Sequence, residues 1–430
     1  MPSGLGPATV RRKKLREEGT IARSHSRIKV LSIFGTRPEA IKMARLVKAL
    51  AAEQGVHSLI CVTGQHQSML RQVMDLFDLK PDFTLDVMKP HQSLNTLTAA
   101  LYDAIDPVLE MTQPDRVLVH GDTTSAMVAA MAAFHRRIPV GHVEAGLRTG
   151  DIRSPWPEEM NRRCIDLGAD LLFAPTFESR TNLLGERLQG RSFVTGNTVI
   201  DALQLTAKRI EEDSELRGRL DSQFSFIKPD RKVLLVTGHR RENFGDGFLN
   251  ICKALRQLAK RSDIQIVYPV HLNPNVQGPV NEHLAGLDNV HLIEPLDYLA
   301  FVRLMQRAHV ILTDSGGVQE EAPSLGKPVL VMRDVTERPE AVNAGTVRLV
   351  GTTPESIVGG VNALYDDQLL WRRASQAANP YGDGKASSRI VDVLLGRPMH
   401  EFVVGKPPLV LERPMLNPHQ GQARPVSSFQ

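Results

Sequence analysis

The chain has 430 residues, more than one ordinary hydrophobic core takes, and this implies two or three domains. Its 42% hydrophobic and 23% charged residues match an average globular chain and exclude wholesale disorder; three cysteines without a Cys-x-x-Cys pair exclude a disulfide scaffold or zinc ribbon. The net charge of +4 points to nucleic acid only until it is located: residues 1–29 carry +6 and residues 397–430 carry +2, which leaves the body at −4.

In chain order, residues 1–27 read as a basic, disordered extension, and residues 397–430, with six prolines, as a solvated tail. Their only aromatics are Phe402 and Phe429, too few for a base-stacking platform, so no nucleic-acid partner is expected. Lys29 to Phe34 is a short apolar strand running into Gly35-Thr36-Arg37-Pro38, where Pro38 suits a first helical turn over Glu39 to Glu53. Strands are predicted at 57–63, 116–120, 140–144, 171–174 and 192–194, with helices at 69–77, 94–111, 124–136, 158–168 and 176–187. A charged helical segment over 199–222 follows, and the domain boundary is placed at 200–230. A second series has strands at 232–237, 265–269, 290–293, 310–313, 328–331 and 346–350, and helices at 247–261, 298–307, 317–325 and 354–365. Alternating apolar strands and helices imply two parallel sheets covered on both faces. Cys61, Cys164 and Cys252 fall in these elements and read as buried thiols of a reducing cytoplasm. No apolar run reaches the ~18 residues of a membrane span, and the N-terminus lacks a signal-peptide core.

Ligands of doubly wound sheets bind outside the C-terminal strand ends. The informative residues should therefore follow strands. Arg37 and Lys42 sit on the first strand-to-helix connection, where cations beside a helix N-terminus suit an anion. Neither Gly-x-Gly-x-x-Gly nor a Walker lysine motif is present, which disfavours NAD and ATP. Asp122 in His120-Gly-Asp-Thr-Thr124 reads either as a helix cap or as a site carboxylate. Glu144, between a buried strand and glycine, resists a packing explanation. Glu158 opens a helix after Pro155-Trp156-Pro157, with Pro157 read as part of its first turn. Three carboxylates on successive sheet-edge connections can split their proton affinities and supply an acid and a base. In the second half, His239 follows one strand and His271 the next, without a metal-ligand spacing. Ser315, Gly316 and Gly317 present N–H groups to a phosphate, and Glu321 suits a ribose diol.

Together, Gly35-Thr-Arg-Pro-Glu-Ala-Ile-Lys42, His120-Gly-Asp-Thr-Thr124, Gly141-His-Val-Glu-Ala-Gly-Leu-Arg148, Ser154-Pro-Trp-Pro-Glu-Glu159, Thr195-Gly-Asn-Thr-Val-Ile-Asp-Ala202, Gly238-His-Arg-Arg-Glu242 and Asp314-Ser-Gly-Gly317 resemble the non-hydrolysing UDP-N-acetylglucosamine 2-epimerases of bacteria. The resemblance covers about residues 28–396. It implies two Rossmann-like domains facing across a cleft, in the glycosyltransferase-B manner, over 28–204 and 205–384, with a helix at 385–396 returning to the first. It implies a cytoplasmic homodimer that interconverts UDP-GlcNAc and UDP-ManNAc for surface polysaccharide, without metal or nicotinamide. Arg37, Lys42, His239 and Ser315 to Gly317 would hold the diphosphate, Glu321 the ribose and Phe301 the uracil, with Arg338 a further contact. Asp122, Glu144 and Glu158 would be catalytic, with His239 beside them. Gln65, His66 and His271 match part of an activator site that some members have; Gln67-Ser68 and His91 depart from it. The alternatives are a 2-epimerase of a 2,3-diacetamido uronic acid nucleotide and a glycosyltransferase of the same fold.

Overall fold

The computed structural model describes residues 27–64, 67–89, 92–336 and 338–405. Gln65 and His66, expected at an activator site, lie outside the described residues.

Seven strands form the first sheet: β1 Ile28–Phe34, β2 Val56–Val62, β3 Phe83–Thr84, β4 Arg116–His120, β5 Val140–Val143, β6 Leu171–Ala174 and β7 Arg191–Val194. Their order is β3-β2-β1-β4-β5-β6-β7, and every pairing is parallel. Six form the second: β8 Lys232–Thr237, β9 Ile264–Pro269, β10 Val290–Ile293, β11 Ala308–Thr313, β12 Val329–Val331 and β13 Val347–Leu349, in the order β10-β9-β8-β11-β12-β13, again all parallel. Consecutive residues Val30 to Phe34 are all buried, as a strand covered by helices on both faces requires.

In each sheet the strand order turns back at one place, between β1 and β4 and between β8 and β11. The register there pairs Ser32 with Leu118 and Thr237 with Thr313. Gly35-Thr36 therefore emerges beside His120-Gly121-Asp122, and Gly238-His239 beside Asp314-Ser315. These are the crevices where a doubly wound sheet takes its ligand.

The helix Arg37–Ala52 starts on a reciprocal cap: Thr36 Oγ1 accepts from Glu39 N while Glu39 reaches back to Thr36 N. The helix Thr198–Glu212 runs unbroken across residues 204–205 and packs on Arg37–Ala52 on one side and on Tyr298–Arg307 on the other. Ile200, Leu203 and Ile210 join Phe34 and Leu46 to Val233, Leu235 and Leu304 in one apolar core. The helix Ala386–Leu394 packs on Arg37–Ala52 and Thr198–Glu212.

Several expectations need correction. The strand pattern omits β3, whose two residues are too short for periodicity. It omits the helix Pro274–Leu284, because Pro274, Gly278 and Pro279 read as loop; Pro274 instead occupies the first turn behind the Asn273 cap. The helices Pro339–Asn343 and Gln368–Gln376 were also absent from the pattern. Pro157 precedes the helix Glu158–Gly168 rather than entering it. Cys61 and Cys252 are buried, but Cys164 is only half-buried. The chain does not become a solvated tail at 397. Arg397 Nη2 lies 2.6 Å from Glu53 Oε2, Phe402 is buried, and its N–H donates to Val194 O at 2.8 Å. An edge strand and an apolar ring hold this segment where proline content alone predicts solvation.

Candidate active site

Thr123, not Asp122, caps the helix Thr124–His135, its Oγ1 accepting from Ala126 N at 3.1 Å. Asp122 is thereby released from the capping reading. Its Oδ2 is ion-paired with the Arg162 guanidinium, and its carbonyl accepts from Asn161 Nδ2 at 2.9 Å. Glu144 follows β5 in a left-handed conformation, φ 72°, which costs a non-glycine residue energy and is kept where surrounding contacts demand it. Those contacts converge on one oxygen. Glu144 Oε2 lies 2.5 Å from Lys42 Nζ, 3.0 Å from Asn197 Nδ2 and 3.5 Å from His120 Nε2. Burial favours the neutral acid here, but Lys42 and His120 outweigh it and hold the carboxyl well below the ordinary range. Burial likewise opposes the Lys42 charge, and Glu144 with Glu320 more than offsets it, so its ammonium is retained. Glu158 Oε2 is buried without a hydrogen-bond partner.

Lys42, His120, Asp122, Glu144 and Glu158 line one cavity of about 420 Å³ at the β1/β4 crevice. The three expected carboxylates are thus brought together. Glu39 also borders it, but its oxygens are already taken by Gly35 N at 2.9 Å, Thr36 N at 2.7 Å and Thr123 Oγ1 at 2.7 Å. It braces the first turn against the β4 loop. Beneath lies a wholly buried pair, His142 Nδ1 to Asp166 Oδ1 at 2.6 Å, with His142 Nε2 donating to Gly121 O at 2.8 Å. Arg148 Nη2 adds a 2.8 Å contact to Asp166 Oδ2. Burial alone would raise the Asp166 carboxyl; His142 and Arg148 hold it low. This pair supports the turn that carries Asp122.

At the second crevice, buried Asp314 Oδ2 accepts from His239 N and Arg240 N, both at 2.9 Å, and fixes the loop after β8. The His239 ring stacks on His271 at 5.5 Å, and burial lowers its proton affinity despite Asp314 nearby. His271 is thus placed against His239. Ser315 and Gly316 open the short helix Gly316–Glu321, and Arg338 lies against Gly316: a Cβ there would sit 2.6 Å from Arg338 Nη1. Gly317 Cα faces Glu321, and Glu321 Oε2 accepts from Tyr298 Oη at 3.2 Å. Burial pushes the Glu321 carboxyl up to about 7. Phe301 lies one turn beyond Tyr298, half-buried on the same helix. Arg37 Nη2 donates to Leu296 O at 3.5 Å across the two sheets' loops.

Four contributors stand outside the expected set: His120, Arg162, Asn197 and Glu320. His120, the last residue of β4, and Asn197, after β7, sit in the quoted motifs His120-Gly-Asp and Thr195-Gly-Asn; Glu320 adjoins Glu321 inside the helix Gly316–Glu321, and Arg162 lies one turn into the helix that Glu158 opens. Among the described residues no group of three or more His, Cys, Asp or Glu side chains is arranged to hold a metal. None of the described helices is long and apolar enough to cross a membrane.

Residues 48–395 match the family model described as UDP-N-acetylglucosamine 2-epimerase. The UDP-N-acetylglucosamine 2-epimerase of Escherichia coli (strain K12) is 57% identical over 369 residues, 85% of this chain and 98% of that protein. That of Yersinia pestis is 56% identical over 369 residues, with the same coverage. The crystal structure of UDP-GlcNAc 2-epimerase from Neisseria meningitidis bound to UDP-GlcNAc superposes with a TM-score of 0.81 at 49% identity, over 86% of this chain and all of that one. With both sheets, both crevices and identity above half of all aligned positions, this chain belongs to the UDP-N-acetylglucosamine 2-epimerase family.

Proposed function

We propose that this chain interconverts UDP-GlcNAc and UDP-ManNAc by inverting C2 of the sugar. One observation carries the reading: Asp122, Glu144 and Glu158 line a single cavity together with Lys42. Relatives bearing the epimerase name at 50–57% identity support the substrate.

The C2 proton has no neighbouring ketone and is too weakly acidic for simple removal. In the proposed route the C1–O bond to UDP breaks first, and the electron pair leaves with the diphosphate. The oxocarbenium character at C1 acidifies C2, a carboxylate takes the C2 proton, and its electron pair forms the C1=C2 bond of 2-acetamidoglucal. Protonation from the other face and return of UDP to C1 complete inversion. Such acid–base groups each contribute about 10²–10⁴-fold. Departing diphosphate needs fixed cations, the role expected of Arg37 and Lys42 with His239 and the N–H groups of Ser315 to Gly317 beside them; Arg338, which lies against Gly316, is added to that role here. Glu321 would take the ribose and Phe301 the uracil. Glu144 is held anionic by Lys42 and Asp122 is paired with Arg162, whereas Glu158 keeps one oxygen unpartnered and suits the proton transfer on the opposite face.

The reading carries a homodimer working in the cytoplasm, with 28–204 and 205–384 as its two domains and a surface polysaccharide as the destination of the product. Three free thiols suit a reducing compartment. A proton NMR time course with UDP-GlcNAc in D₂O tests the function. Epimer with deuterium at C2 is expected without any acceptor; unchanged UDP-GlcNAc would refute it, and retention of the C2 hydrogen in the epimer would exclude the proton-exchange route.

A further inference from the structure

Asn197 is buried at the place where the two sheets' loops and the returning segment meet. Its main-chain N–H donates to Tyr381 O at 2.6 Å. Its Oδ1 accepts from Val199 N at 3.0 Å and caps the helix Thr198–Glu212. That bond settles which end of the amide is which, so Nδ2 must point away from the helix. Nδ2 donates to Glu144 Oε2 at 3.0 Å and to Glu320 Oε2 at 3.1 Å. Both amide hydrogens and its oxygen are thus committed. Glu320 in turn accepts from Arg338 Nε at 2.7 Å, and Glu144 from Lys42 Nζ at 2.5 Å.

The result is a chain of five groups: Lys42, Glu144, Asn197, Glu320 and Arg338. Cations stand at its ends, carboxylates inside them and a neutral amide at the centre. Lys42 belongs to the helix after β1 and Arg338 to the loop after β12, so the chain crosses the cleft. Both end cations are those assigned to the diphosphate above, and the argument for the chain rests on that reading. A diphosphate competes for both cations. Once they turn to it, two carboxylates remain on either side of one amide, and each raises the proton affinity of the other.

We propose that Asn197 and Glu320 are positioning residues that tie diphosphate binding to Glu144, so that drawing Lys42 and Arg338 onto the diphosphate makes Glu144 a stronger proton acceptor. Glu144 then ceases to be an inert half of an ion pair only when substrate is present. The other charged groups facing it do not reproduce this effect. Asp122 keeps Arg162, Glu39 is held by the Gly35–Thr36 turn, and His120 adds positive charge only when protonated. Glu158 borders the same cavity and is left unchanged in every variant compared. Asparagine is the residue that this centre needs: aspartate would add a third carboxylate, and alanine would leave both neighbours without a donor.

Calorimetry of UDP binding in two buffers of different ionisation enthalpy counts the protons exchanged, independently of turnover. At about pH 5, just above the ordinary glutamate range, UDP binding releases protons from its own terminal phosphate and from Glu321, whose carboxyl burial holds at about 7, and the wild-type chain sets against that release an uptake of protons as Glu144 gains affinity. Glu320→Gln and Glu144→Gln each lower that uptake by about half or more. Asn197→Asp, which adds charge between the two carboxylates, raises it. In turnover, Glu320→Gln lowers kcat about tenfold with KM within about threefold, and moves the acid limb of kcat to lower pH. A purely structural role would leave that limb in place. Should Asn197→Asp fail to fold, Glu320→Gln decides alone. Uptake equal in wild type, Glu320→Gln and Glu144→Gln overturns the relay while leaving the site reading intact. Failure of wild type to bind UDP overturns the site reading and the relay with it.

Discussion

Lys42 Nζ lies 2.5 Å from Glu144 Oε2, an ion pair in which both side chains are largely removed from water. Lys42 comes from the helix after β1 and Glu144 from the left-handed turn after β5, so the connections that follow the two strands flanking β4 are joined by charge. Breaking such a pair strands the survivor in low dielectric and costs about 3–5 kcal/mol. Lys42→Met is expected to lose that much in denaturant unfolding at neutral pH, together with turnover. The depressed Glu144 carboxyl stabilises the folded chain above its unfolded value near 4.5, and the contribution is lost as pH falls through the lower folded value. Lys42→Met raises the folded value, so its acid unfolding midpoint should move to higher pH; an unmoved midpoint would contradict the pairing.

Asp122 and Glu144 face the same cavity, and their replacement separates chemistry from binding. Asp122→Asn and Glu144→Gln should each lower kcat by about 10²–10⁴-fold with UDP affinity within a few-fold of wild type. Near-normal turnover in either would remove that carboxylate from the mechanism.

Glu321 has the opposite electrostatics. Burial raises its carboxyl to about 7, so its charge develops near neutral pH. A raised carboxyl favours the folded state most below the unfolded value and loses that advantage as pH rises through 7. Glu321→Gln should therefore be neutral or stabilising at pH 8 by about 1–3 kcal/mol. Accepting hydrogen bonds from a ribose diol needs the carboxylate, so UDP affinity should fall roughly tenfold from pH 8 to pH 6, and Glu321→Gln should flatten that dependence. A wild-type affinity independent of pH would disprove the raised value.

His142 and Asp166 are wholly buried beneath Gly121, and Asp166 also carries Arg148. Asp166→Asn leaves the Arg148 guanidinium without this anion and His142 Nδ1 without its carboxylate partner, and should cost about 3–5 kcal/mol, measured by urea unfolding. The turn bearing Asp122 loses its support at the same time, so kcat should fall further than KM rises. Unchanged stability would show that the pair carries no structural weight.

A glycine is demanded at 146, where φ is 85° and an added Cβ would stand 2.2 Å from Ser179 O. Gly146→Ala should destabilise by more than about 1–2 kcal/mol from backbone conformation alone. Wild-type melting behaviour would contradict the clash.

The two sheets were legible because consecutive apolar strand residues alternate with helical periods, and burial on both faces of a parallel sheet enforces that pattern. The places of Arg37, Lys42, Asp122, Glu144 and Ser315 were legible for a related reason: crevice residues must follow strands. Short or proline-marked elements, β3 and Pro274–Leu284, escaped because periodicity needs length and Pro279 reads as a break. What a carboxylate is paired with was not legible. Asp122 and Arg162 lie 40 positions apart and Asn197 and Glu320 lie 123 apart, and only folding sets such distances. From the order of residues alone came the fold class, the family motifs and the set of carboxylates and cations. The tertiary structure decided that Glu144 is tied to Lys42, that Asn197 joins it to Glu320 and Arg338, and that Glu321 is pushed towards neutral. The reason is physical: proton affinity and ion pairing depend on burial and distance, and neither is written in residue type.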